Sequence, residues 1–297
     1  MKAVRIIVAG GVNMDTTYHV ANLPKEGETI FSIKTASSLG GKGLNQAVAA
    51  QRAGAHVALL GAVGADQAGK DIRSFAKEEG METTLLQQVC GENTGRAVIA
   101  VDSAANNMII VDSGANNLTR FLADRTQPSD WPDVRYVIAN GEAPAEAVTS
   151  LFNFAKRAGM ATAWNPSPVP SDPAPLLSLT DVLVLNETEA TAIEGNERSP
   201  EYLIRKIAQR GPREIVLTLG ASGSLVYANG QIERVLAEAV AAVDPTAAGD
   251  TFLGYYIANR ADQKTPLSSA RIASSAAALC VQKRGAVSAI PLASELQ

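Results

Sequence analysis

The sequence predicts an α/β protein: a parallel sheet with crossover helices, and a small β-sheet laid over its carboxyl edge. Two observations predict the main layer. Apolar runs of strand length recur without the alternation of a half-solvated strand, which marks strands buried on both faces. Between them lie helical stretches that stop at glycine, so strand and helix alternate along the chain. A third observation predicts the small sheet. Residues 16–37 and 94–112 break the rhythm with β-prone runs and no helical period.

Taken in order, Val4–Ala9 is an apolar run ended by Gly10 and Gly11. Gly43–Arg52 is rich in Ala and Gln and stops at Gly54, a helix with a glycine C-cap. His56–Val63 is a second buried strand, and Gln67–Glu79 a helix stopped by Gly80. The rhythm returns with a strand at Val134–Ala139, a helix at Pro144–Arg157 stopped by Gly159, and a strand at Met160–Trp164. A strand at Asp181–Leu185 leads to a short helix from Glu187, and a helix at Glu201–Arg210 to strands at Glu214–Thr218 and Ser224–Tyr227. Helices near Gly249–Arg260 and Leu267–Lys283 close the chain. Of the two exceptions, the first carries Pro24 and Gly27. The second reads as strands Gly95–Val101 and Asn107–Val111 around a polar turn at Asp102–Asn106. All of 1–297 is expected to form one domain, with the small sheet a discontinuous insertion of about 14–38 and 94–113, set where open α/β sheets bind ligands. Pro166–Pro175 is short and reads as a loop.

Composition narrows the function. With 297 residues, 46% hydrophobic and 19% charged, the chain can bury a large core and has the make-up of a globular protein. A net charge of −4 with no basic face argues against nucleic acid or an anionic membrane as partner and leaves a small molecule. No run reaches the roughly 18 apolar residues of a spanning helix, so no membrane partner is expected. The N-terminus reads as a strand rather than a secretory signal, which makes the cytoplasm the expected location. Cys90 and Cys280, far apart in sequence, are expected to be reduced and mostly buried. With so few histidines and cysteines, two of each, a structural zinc site is not expected.

Three segments carry chemistry. In Val243-Asp244-Pro245-Thr246-Ala247-Ala248-Gly249-Asp250, small residues turn the chain into a helix whose first amides lack intrahelical partners. They make an anion hole suited to a phosphoryl group in transit, and Asp250 beside it can take the proton of an attacking hydroxyl. The same pattern also reads as a carboxylate that only offsets the helix dipole. In Gly40-Gly41-Lys42-Gly43-Leu44-Asn45, the glycines let a ligand approach the backbone, and Asn45 could bond a sugar hydroxyl; an unliganded glycine loop is the alternative. At the end of the first strand, Gly10-Gly11-Val12-Asn13-Met14-Asp15 offers Asn13 and Asp15, either to vicinal hydroxyls or as an Asx turn.

Together these segments resemble the ribokinase-like, or PfkB, carbohydrate kinases. The family's D-T-x-G-A-G-D signature is matched by Asp244–Asp250, with Pro245 for the usual threonine and Ala247 for the first glycine. Its N-terminal signature is matched by Gly40–Ala50, and the resemblance runs from about Ile6 to about Pro291. It implies a three-layer α/β/α fold with a mostly parallel central sheet and a β-sheet lid. It also implies an ATP-dependent kinase for the primary hydroxyl of a pentose, D-ribose first, and a homodimer formed through the lid. Asp250 would be the base, and Ala247, Ala248 and Gly249 the anion hole. Asn13, Asp15, Gly41, Lys42, Asn45, Glu142 and Asp250 would hold the sugar. Asn186 and Glu189, in Asn186-Glu187-Thr188-Glu189, would lie near the triphosphate and its Mg²⁺. Thr218, Gly220, Ala221 and Gly223 would contact ATP with Gly249, and Ser274 stands where members place a histidine against adenine. A K⁺ would sit by Asp244, Thr246, Cys280, Lys283 and Gly285, with Ala289 where members carry a serine hydroxyl.

Competing readings are weaker. Gly64–Lys70 fits the first seven positions of a phosphate loop, but Asp71 follows where Ser or Thr must hold Mg²⁺, so a plain helix start is expected. The first strand does not end in G-x-G-x-x-G, which argues against a dinucleotide-dependent dehydrogenase. Kinases for deoxyribose, ketohexoses or nucleosides, and a silent sugar-binding regulator, share the same scaffold. His19, His56, Trp131 and Trp164 are expected to pack or face solvent.

Overall fold

The computed structural model describes residues 5–104 and 106–296. Its strands are β1 Ile6–Ala9, β2 Asn13–His19, β3 Lys34–Gly40, β4 Val57–Gly64, β5 Leu86–Val89, β6 Gly95–Val101, β7 Asn107–Asp112, β8 Tyr136–Asn140, β9 Ala161–Asn165, β10 Val182–Asn186, β11 Glu214–Thr218, β12 Ser224–Ala228 and β13 Gln231–Val235. The helices are α1 Lys42–Arg52, α2 Gln67–Glu78, α3 Ala145–Arg157, α4 Ala174–Leu179, α5 Glu187–Glu194, α6 Pro200–Ala208, α7 Ala248–Ala261 and α8 Pro266–Cys280.

Nine strands form one sheet in the order β13-β12-β11-β10-β9-β8-β1-β4-β5. All pair in parallel except β12 and β13, which close one edge antiparallel. Side-chain alternation explains why the sheet is covered on both faces. Ile6 and Val8 of β1 enter a core built with Leu44 and Val48 of α1, Ile72 of α2, Leu253 of α7 and Ala273 of α8. Their neighbours Ile7 and Ala9 point the other way, into a core built with Leu151 of α3, Leu177 of α4, Ile193 of α5 and Leu203 of α6. The continuous apolar runs are thus strands with two dry faces, the arrangement a parallel sheet requires. The result is the expected three-layer α/β/α architecture.

Strand order reverses beside β1. The chain passes from β1 to β4 and β5 on one side, then returns through β8 to build the rest on the other. A crevice opens at such a switch point, outside the carboxyl ends of the strands. The second sheet, β3-β2-β6-β7, stands over that edge, because β2 starts only three residues after β1 ends. Asn13 of β2 pairs with Gly40 of β3 and Gly95 of β6, so three of the four strands of this sheet converge on the crevice. Its outer strand β7 is exposed along its whole length. Ile109 and Ile110 there keep 53% and 64% of their surface, and Phe31 and Ile33 before β3 keep 92% and 73%.

Some expectations need correction. Strands β5 and β13 were not foreseen, and Pro166–Pro175 is not wholly loop, since α4 begins at Ala174. Cys90 is exposed and only Cys280 is buried, both as free thiols. The start of the first strand at Val4, and Ala105 in the turn 102–106, lie outside the described residues. In that turn Asp102 accepts hydrogen bonds from the amides of Ala104 and Asn106, both at 2.9 Å. The phosphate-loop look-alike is a helix start: Asp66 caps α2 by accepting the Gly69 amide at 2.9 Å and also holds Thr94. Trp164 is fully buried. Among the described residues no helix is long and apolar enough to cross a membrane.

Candidate active site

The loop Gly40–Gly43 reaches the crevice because nothing but hydrogen fits there. Gly41 has φ 88°, and a Cβ on it would lie 2.6 Å from the Gly11 carbonyl oxygen. A Cβ on Gly43 would lie 2.4 Å from the Gly10 carbonyl carbon. Close contact of the two turns sets Lys42 opposite the residues after β8, and its amide donates to Glu142 Oε2 at 2.8 Å. Asn13 is held by the buried Asn116, whose Nδ2 donates to Asn13 Oδ1 at 2.8 Å. Asp15 lies against Gly40, and its Oδ1 is buried without a hydrogen-bond partner, as is Asn45 Oδ1. Burial raises the Asp15 carboxyl to about 6, offset in part by the Ala97 amide. Burial likewise raises Glu142 to about 7, against the lowering pull of the Lys42 amide and ammonium. Buried acceptors held this way suit a ligand that brings hydroxyl donors.

Opposite them, α7 begins. Thr251 N donates to Ala247 O at 2.8 Å, so the helix is already wound at its first residues. Among the described residues the amides of Gly249 and Asp250 have no acceptor, and a Cβ added to Gly249 would meet open space. The Ala248 amide, expected in the same hole, instead donates to Pro245 O at 3.2 Å. Two amides at the positive end of a helix dipole therefore face the cleft beside the carboxylate of Asp250. That carboxylate accepts Asn45 Nδ2 at 3.0 Å and Gln46 Nε2 at 2.9 Å, and Asp250 is only 8% exposed.

The turn into α7 carries strain. Ala247, which caps the helix, has φ 60° and ψ 7°, the left-handed region that costs an alanine roughly 1–2 kcal/mol. Ala247→Gly removes that cost and adds unfolded-state entropy, so the variant is expected to gain about 0.5–1 kcal/mol. A higher midpoint in urea unfolding checks this, and an unchanged midpoint contradicts it.

One cleft is lined by Lys42, Asn165, Asn186, Glu189, Thr218, Ala247, Gly249 and Asp250. A second is lined by Asn13, Asn116 and Glu142, with Gly141 and Pro144. The Lys42–Glu142 hydrogen bond links the two. Asn186 and Glu189 form a reciprocal cap at the start of α5, with Glu189 N to Asn186 Oδ1 at 2.9 Å and Asn186 N to Glu189 Oε2 at 3.0 Å. Thr218 ends β11, and its hydroxyl donates to Leu185 O at 3.3 Å. Gly220, Ala221 and Gly223 follow in a tight turn that lines neither cleft. Ser274 is half-buried on α8 and also lines neither.

Behind α7, the expected cation residues do meet. Asp244 Oδ1 accepts the Thr246 amide and Oδ2 the Gly285 amide, both at 2.9 Å. Burial pushes its carboxyl up, but these amides outweigh it and hold the group below its usual range. The Cys280 thiol lies 3.6 Å from Thr246 O, and burial raises it, so it stays protonated. The Lys283 side chain points to Glu295 at 2.6 Å, which leaves its carbonyl as the group for a cation. Around this turn the carboxylate of Asp244 and the carbonyl of Thr246 are the oxygens brought together, and Ala289 brings no hydroxyl.

Sequence reasoning assigned nothing to Asn116, Asn140 or Asn165, although Asn140 and Asn165 end β8 and β9 at the carboxyl edge of the parallel sheet, a position that signals a site in this class of fold. Asn116 lies in the turn after β7 of the small sheet, where no such signal exists.

The sequence matches the pfkB family carbohydrate kinase over residues 4–293. It is 35% identical to the ribokinase of Haemophilus influenzae over 98% of this chain and 96% of that one. It is 32% identical to the ribokinase of Staphylococcus aureus, over 98% of each chain. The fold superposes on Arabidopsis thaliana ribokinase complexed with ribose and ATP with TM-score 0.89 and 28% identity, covering 99% of this chain and 98% of the other. On these grounds, the chain belongs to the pfkB family of carbohydrate kinases.

Proposed function

We propose that this enzyme transfers the γ-phosphoryl group of ATP to the primary hydroxyl of D-ribose, giving D-ribose 5-phosphate. The observation that carries the reading is the pair of free amides at Gly249 and Asp250, set beside the Asp250 carboxylate at the switch point of the sheet. The likeness to chains named ribokinase, and to one solved with ribose and ATP, supports ribose as the acceptor.

In this reading residues 1–297 act as one catalytic domain, with 14–38 and 94–113 as its lid. Asn13, Asp15, Gly41, Lys42, Asn45 and Glu142 orient the sugar. Asn186, Glu189, Thr218 and the Gly220–Gly223 turn hold ATP, whose base lies toward Ser274 on α8. Asp250 takes the proton from the attacking hydroxyl. The amides of Gly249 and Asp250, with Ala247 and Ala248 shaping the turn, stabilise charge on the transferring group. The lid closes over the sugar and keeps water from competing for the phosphoryl group. Mg²⁺, entering with the nucleotide near Asn186 and Glu189, would neutralise phosphate charge. K⁺ at Asp244, Thr246, Cys280, Lys283 and Gly285 would set the position of the turn before α7. The reaction belongs in the cytoplasm, where ATP is supplied.

A coupled ADP-release assay over ribose, deoxyribose, ketohexoses and nucleosides tests the reading, with ribose expected to give the highest kcat/KM. A nucleoside or hexose in first place overturns the acceptor, and no turnover with any of them overturns the enzyme. The exposed apolar run Met108–Val111 on β7 supports a homodimer through the lid. Light scattering at micromolar concentration is expected to return twice the mass of 31.0 kDa, and a monomeric mass refutes it.

A further inference from the structure

Gln46 is fully buried, and all its side-chain hydrogen bonds go to polar groups around the cleft. Its Nε2 donates to Asp250 Oδ1 at 2.9 Å and to Asn165 Oδ1 at 3.2 Å, while its Oε1 accepts Asn140 Nδ2 at 3.0 Å. An amide alone could sit either way round. Here the direction is fixed from both ends by main-chain groups that cannot reverse. The Glu142 amide, a donor only, bonds Asn140 Oδ1 at 3.1 Å and so turns the Asn140 NH₂ toward Gln46. The Val184 carbonyl, an acceptor only, takes Asn165 Nδ2 at 3.0 Å and so turns the Asn165 oxygen toward Gln46. Each constraint alone would leave Gln46 with its NH₂ facing the carboxylate; together they leave it no other orientation.

The same residue is fixed along its helix. On α7, Gly254 follows Asp250 by one helical turn and lets α1 approach. A Cβ there would lie 2.4 Å from Ala49 Cβ and 2.8 Å from the Gln46 carbonyl oxygen. The two helices are therefore locked at the turn that carries both groups. We infer that Gln46 is a positioning residue for the proposed base: a directional amide chain, from Glu142 through Asn140 to Gln46, presents one N–H to Asp250 Oδ1 and fixes the carboxylate plane for the sugar hydroxyl. The inference rests on the role of Asp250 in the reading above. It also ties the base to Glu142, a proposed sugar contact, through hydrogen bonds rather than through the sugar.

The charged groups facing this cluster are Lys42 from α1, Asp15 from β2, Glu142 after β8 and Glu189 from α5, with Asp244 and Lys283 behind α7. Gln46→Glu keeps size and shape but sets a second carboxyl against Asp250, and the two must then share a proton. Steady-state kinetics of Gln46→Leu, Gln46→Glu and Asp250→Asn provide the test. Gln46→Leu is expected to lose about 100-fold in kcat with much less change in the KM for ribose. For Gln46→Glu, the acid limb of the kcat profile is expected to move up by at least about one pH unit. The glutamate variant keeps the test usable if the leucine variant fails to fold. If folded Gln46 variants keep wild-type kcat and the wild-type acid limb while Asp250→Asn is inactive, Gln46 is only a core residue and the inference fails. If Asp250→Asn itself turns over normally, the base assignment fails first.

Discussion

Asp250→Asn is expected to lower kcat by about 10³-fold or more while ribose still binds, because a positioned general base contributes roughly 10²–10⁴. Asparagine keeps the shape of the side chain, and its amide oxygen can still accept one of the hydrogen bonds from Asn45 and Gln46. It cannot take a proton from the sugar hydroxyl. The anion hole survives, since the free amides of Gly249 and Asp250 belong to the main chain. The variant should therefore separate the two halves of the site: calorimetric ribose binding within a few-fold of wild type, and turnover nearly gone. Activity close to wild type would remove Asp250 from the role of base.

The second large effect concerns Asp15 and Glu142, whose carboxyls burial raises to about 6 and about 7. Both hold a proton more tightly in the folded chain than in the unfolded one. Protonation therefore favours the fold, a contribution complete below about pH 4 and lost as pH rises through about 6 and 7. At pH 8 both are charged and poorly hydrated. After allowing for water that reaches the crevice, each costs about 1–2 kcal/mol. Asp15→Asn and Glu142→Gln should each raise the melting temperature of the free enzyme at pH 8 by about 2–4 °C, and the gain should vanish near pH 4. Binding should run in the opposite sense. A protonated carboxyl is a poorer acceptor for sugar hydroxyls, so the KM for ribose is expected to rise as pH falls from 7.5 to 5.5. Neutral variants no more stable than wild type at pH 8 would show that the two charges are well hydrated.

The main layers were legible because their strands are dry on both faces. The runs in β1, β4 and β10 admit no other reading once glycine closes the helices between them. β13 was missed because Gln-Ile-Glu-Arg-Val is an edge strand with three exposed polar residues, and its pattern is too short and too charged to stand out. α4 was hidden behind its prolines. The site divides in the same way. Asp250, Lys42 and Asn13 sit in contiguous motifs, whereas the chain of amides joins residues 46, 140, 165 and 250, which only the folded sheet edge brings together. The place of the Ala248 amide was not legible for a local reason: the turn at Pro245 takes it up, which composition cannot show. The Asn186–Glu189 motif was read for its place near phosphate, and it is also an ordinary helix cap.

Strand β7 carries a hazard of its own. Met108, Ile109, Ile110 and Val111 follow one another on the outer strand of the small sheet, and among the described residues no strand pairs with its free backbone edge. Any extended apolar chain can add to such an edge, including the same strand from another copy in the wrong register. An uncovered border of this kind is a seed for misassembly between copies, and the risk grows with concentration.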